Sequence, residues 1–63
     1  MIKPKILIVE DQATTADAIG YACETESMIP IVVYNGTDAL ASFSRHDDIA
    51  LVVLDINLYK ASR

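Results

Sequence analysis

Leu51-Val52-Val53-Leu54-Asp55 is the stretch that decides the fold. Four large apolar residues run without a break and stop at a carboxylate. A strand buried on both faces reads as a continuous apolar run, whereas a strand wet on one face alternates. Such strands belong to parallel sheets covered by helices, and in open sheets of that kind ligands sit outside the carboxyl ends of the strands. Asp55 is therefore where chemistry is expected. Near the start of the chain Ile6-Leu7-Ile8-Val9 has the same form and runs into Glu10-Asp11.

Working outward, the segments between and beside these runs have helical spacing. The pattern predicts a strand over 5–10, a helix over 14–26, a strand over 30–34, a helix over 36–46 and a strand over 49–55. Pro4 lacks a backbone N–H, so regular pairing begins after it. In the first helix Ala16, Ile19, Ala22 and Cys23 recur at three- and four-residue spacing and are expected on one buried face. Asp11 or Thr14 is the expected cap, with Thr14 and Asp17 forming a loose capping box. Pro30 biases Ile29 away from helix and so marks the latest end of that helix. Asn35-Gly36 is a hairpin signal, but Ala39, Leu40 and Phe43 follow at helical spacing. Asn35 or Thr37 is therefore read as a helix cap. Each crossover is long enough to return a parallel strand. The result is an α/β chain of order β-α-β-α-β, half of a doubly wound domain, with no repeat or interdomain linker.

Composition narrows the function. The chain has 63 residues, 52% apolar and 22% charged, which is globular and not disordered. A domain of this size buries only about 60% of its unfolded surface, so it is marginal alone. The net charge of −4 and the scattered basic residues Lys3, Lys5, Arg45, Lys60 and Arg63 argue against direct nucleic-acid contact. No apolar run reaches a membrane span and no signal peptide is visible, so a cytoplasmic setting is expected. Cys23 is the one cysteine and is read as a small core hydrophobe. His46 is read as a helix-terminus residue, and Tyr21 and Tyr34 as packing or surface aromatics.

A doubly wound sheet in which strands one and three are neighbours would bring Glu10, Asp11 and Asp55 to one end. Three carboxylates gathered there repel one another unless a cation is present. A hard divalent ion with oxygen ligands, Mg²⁺, suits them. A carboxylate beside such an ion can accept a phosphoryl group.

Lys5-Ile6-Leu7-Ile8-Val9-Glu10-Asp11, then Asn35-Gly36-Thr37-Asp38-Ala39-Leu40, then Leu51-Val52-Val53-Leu54-Asp55-Ile56-Asn57-Leu58 resembles the first half of a response-regulator receiver domain of two-component signalling. The resemblance covers nearly all of this chain. It implies a flavodoxin-like sheet of strand order 2-1-3 and a truncated receiver-like domain. It also implies that Asp55 is the phosphoacceptor in a phosphorelay, supplied by a histidine kinase or phosphotransfer protein. Asp11 would be a direct Mg²⁺ ligand, Glu10 a ligand acting largely through water, and the Asn57 carbonyl a further ligand. Such a module is not an enzyme beyond its own phosphorylation chemistry. Two features depart from the family: Tyr59 stands where a proline is usual, and the hydroxyl and lysine of the later strands have no counterpart in these residues. The alternative from another class is an interaction or oligomerisation module that takes no phosphate. In the order 2-1-3 strand three would lie at the edge of a half domain. The run Leu51 to Leu54 has no Pro, Lys or bulge signal to block pairing, so a homo-oligomer through that strand is expected.

Overall fold

The computed structural model describes residues 2–55 and, of Asp55, the backbone only. The chain forms β1 (Lys5–Glu10), α1 (Ala13–Thr25), β2 (Ile29–Val33), α2 (Gly36–Arg45) and β3 (Ile49–Asp55). The three strands make one parallel sheet in the order β2-β1-β3. This is an α/β fold with the layout of half a flavodoxin-like domain. Asn57 and Tyr59 lie outside the described residues.

Central β1 is buried along its length because it has a strand on either side and a helix on either face. Ile6, Leu7, Ile8 and Val9 are each 3% exposed or less. Alternation along a strand divides them between the two faces. Leu7 and Val9 join Val33, with Ile31, Ala39 and Ile49 packed against them, beneath α2. Ile6 and Ile8 point the other way, beside Pro30 and Val32 in the register. On that side α1 crosses β1 and β2, and Gly20 faces Pro30 and Val32. The helices therefore lie on opposite faces, as right-handed crossovers running in opposite directions across the sheet, from β1 to β2 and from β2 back past β1 to β3, require.

The spacing gives the buried face of α1 except at Ala22, and that of α2 only at Ala39. In α1 the fully buried residues are Ala16 and Gly20, while Ile19 and Cys23 are half-buried and Ala22 is exposed. The small pair at i and i+4 sets the line of contact because it lets the helix lie close to the sheet. In α2 the buried residue is Ser42, with Ala39 half-buried, while Leu40 is 72% and Phe43 57% exposed. Here too the smaller residues are the more buried, and the exposed Leu40 and Phe43 border an open groove with Leu7 and Val52 of the sheet. Tyr21 and Tyr34 are surface aromatics.

The helix ends carry two further departures. Neither Asp11 nor Thr14 caps α1. Gln12 occupies the N-cap position in extended conformation, and its side chain makes no capping bond. Asn35 does cap α2: its side-chain oxygen accepts from the Asp38 N–H at 2.8 Å. At the far end of α1 the Met28 N–H donates to the Cys23 carbonyl and the Ser27 N–H to the Glu24 carbonyl. That pair of bonds is a Schellman motif. It places Ser27 at φ 60, the left-handed region, and turns the chain into β2 at Ile29.

β3 begins irregularly. Lys5 pairs with Ile49 but Ile6 pairs with Leu51, so Ala50 is an extra residue forming a bulge. The bulge precedes the apolar run, and from Leu51 to Asp55 the register is regular, as the run's lack of a bulge signal leads one to expect. A Lys5 to Asp48 ion pair at 3.0 Å ties the start of β1 to the turn before β3.

Candidate functional site at the carboxyl ends of β1 and β3

The last register pair of the two neighbouring strands is Glu10 and Asp55. Their Cα atoms are therefore about 4.8 Å apart, the spacing of adjacent strands. Two independent apolar runs thus deliver their terminal acids to the same end of the sheet, and Asp11 follows directly in the bend after β1.

Glu10 is a buried carboxylate, only 3% exposed. Its Oε1 accepts from the Gln12 backbone N–H at 3.0 Å. That bond closes the turn from β1 into α1. It also sets a carboxyl oxygen at the start of a helix that has no acidic residue in its first turn and no side-chain cap. The positive end of the helix dipole favours an anion there. Glu10 is thus the residue that organises the α1 terminus, a role that helix-capping rules assign to positions nearer the helix. Asp11 is half-buried and makes the bend two residues before α1.

Carboxylates such as Glu10 and Asp11 are oxygen donors of the type a hard cation takes. Among the described residues no three His, Cys, Asp or Glu side chains form a metal-holding group; the Asp55 side chain and Asn57 are not among those residues. His46 is half-buried at the C-cap of α2, and Cys23 is a half-buried free thiol in the middle of α1; both are remote in sequence from the acidic end.

A second concavity of about 560 Å³ opens between α2 and the sheet, lined by Leu7, Thr37, Ala39, Leu40, Phe43 and Val52. It holds no ionisable side chain, so it offers apolar contact and no acid–base chemistry. No helix among the described residues is long and apolar enough to cross a membrane.

No family model, no curated protein and no solved structure matches this chain.

Proposed function

We propose that this chain is the phosphoacceptor part of a receiver-type signalling module. In this reading Asp55 takes a phosphoryl group from a histidine kinase or phosphotransfer protein in the cytoplasm. The observation that carries it is the Glu10–Asp55 register pair at the carboxyl ends of adjacent parallel strands, joined to the three motifs in their order along the chain. One carboxylate oxygen of Asp55 would form the bond to phosphorus as the phosphorus–nitrogen bond of the donor histidine breaks, and the electron pair would leave on the imidazole. The chain's role is that of acceptor, not of catalyst.

The oxygen donor set suits Mg²⁺. Asp11 and Asp55 would hold it directly, Glu10 through water, and Asn57 by its carbonyl. The ion would supply charge neutralisation between an anionic acceptor and an anionic donor. Glu10's bond to the Gln12 N–H keeps one carboxylate oxygen in the turn, which supports a positioning part for Glu10 over a direct one.

The test is a Mn²⁺ titration followed by amide line broadening. Broadening should centre on Glu10, Asp11 and Asp55, and it should vanish in the Asp11→Ala/Asp55→Ala variant. Broadening that persists in that variant, or that centres elsewhere, would remove the site.

The second reading, an interaction module that takes no phosphate, is favoured by one observation. Leu51, Val52 and Leu54 are 56%, 44% and 68% exposed, on both faces of a strand that ends at the candidate site.

A further inference from the structure

We propose that the groove between α1 and β2 is a docking site for an arginine-bearing segment of a partner protein. The proposal is independent of the phosphoacceptor reading, because this groove runs along the side of α1 and not at the carboxyl ends of β1 and β3.

Asp17, Tyr21 and Glu24 stand at i, i+4 and i+7 of α1, a spacing that sets three side chains on one side of a helix. That side is turned toward β2. There the three wall a concavity of about 360 Å³ whose floor is Gly20, Pro30 and Val32. In the order β2-β1-β3 the groove lies on the β2 side of the sheet. A flavodoxin-like sheet grows beyond β3, so the groove stays open in a longer sheet of that kind.

Charge selects the occupant. From Ala13 to Thr25 the helix carries Asp17 and Glu24 and no Lys or Arg. The one ion pair among the described residues joins Lys5 to Asp48, so neither acid has a basic side chain within ion-pair distance. Both are exposed. Two open carboxylates with an apolar floor between them suit a segment that is cationic at two points and apolar between. Tyr21 narrows the choice further, since it stands between the two acids and is 70% exposed. A ring face attracts a cation. Guanidinium both stacks on a ring and forks onto a carboxylate, whereas ammonium is a point charge.

The helix sets the spacing of the two cations. Two turns separate Asp17 from Glu24, about 10 Å along the axis. In a polyproline II segment, residues three apart share a side and lie about 9 Å apart. An Arg-Pro-Pro-Arg segment therefore brings one guanidinium to each acid and its prolines over Tyr21 and the floor. Aromatic-lined grooves recognise such segments, which are extended before they bind and lose little entropy on docking.

Titrating the isotope-labelled chain with acetyl-Arg-Pro-Pro-Arg-amide and following its amide shifts tests this. The shifts should centre on Asp17, Tyr21, Glu24 and Val32, and binding should weaken as salt is added. Asp17→Asn/Glu24→Gln alters only exposed side chains. It should lose the shifts while its far-UV circular dichroism spectrum stays that of the wild type. Tyr21→Leu keeps apolar bulk but loses the ring face, so it should weaken binding about two- to fivefold. At equal salt, acetyl-Lys-Pro-Pro-Lys-amide should bind more weakly than the arginine peptide, and spermidine, a free polycation, more weakly still. The absence of shifts at millimolar peptide, or shifts centred on Glu10 and Asp11, would overturn the proposal. So would equal binding by the lysine peptide or spermidine, or undiminished binding in the double-acid variant.

Discussion

Asn35 and Asp38 close the start of α2 on each other. The Asn35 side-chain oxygen accepts from the Asp38 N–H at 2.8 Å, and its amide nitrogen donates to the Asp38 carboxylate at 3.1 Å. One side chain therefore satisfies a helix-terminal donor and holds the acid that stabilises the same helix end. Asn35→Ala should cost about 1 kcal/mol in chemical denaturation, the usual size of a lost cap. Asn35→Ser, which keeps an acceptor and loses the donor, should fall between the two. An Asn35→Ala variant as stable as the wild type would show that the pair is ornamental to the fold.

Ser27 stands at φ 60 in the Schellman turn after α1. That region is strained for a residue with a Cβ and open to glycine. Ser27→Gly should therefore stabilise the chain by about 0.5–1 kcal/mol, even though glycine loosens the unfolded chain. Thermal or urea unfolding measures it. Ser27→Ala should bring no such gain, and equal behaviour of the two variants would contradict the conformational cause.

The hydrogen bond from Lys5 holds the Asp48 carboxyl below its ordinary value of 3.8, and the lysine charge acts in the same direction. A carboxyl lowered in the folded state contributes stability that is present above the unfolded value and is lost as pH falls through the folded one. The stability gap between the wild type and Asp48→Asn should thus be present above pH 3.8 and close at lower pH. Both groups are partly in solvent, so added salt should shrink the gap as well. Paired denaturation curves at several pH values check this, and a gap that widens on acidification would reverse the assignment.

By itself the sequence determined the alternation of elements and the parallel sheet. Two unbroken apolar runs ending in acid mark strands of a parallel sheet, covered on both faces at β1 but open at Leu51, Val52 and Leu54 of β3, and the connections between them have helical spacing. The Asn35 cap was legible for the same reason, since a capping bond is local. What the tertiary structure alone decided is which residues of each helix sit at the line of contact. The spacing marked Ala16, Ile19, Cys23 and Ala39, which are buried or half-buried, but it also marked Ala22, Leu40 and Phe43, which are exposed, and it passed over the buried Gly20 and Ser42. Close approach between a helix and a sheet rewards small residues at the line of contact, and that line is drawn by strand positions distant in sequence. The bulge at Ala50 and the part of Glu10 in closing the α1 turn were hidden likewise. Each arises only when β1 has been set beside β3 or has delivered its last residue to the start of a helix, and no local pattern of residues encodes that placement.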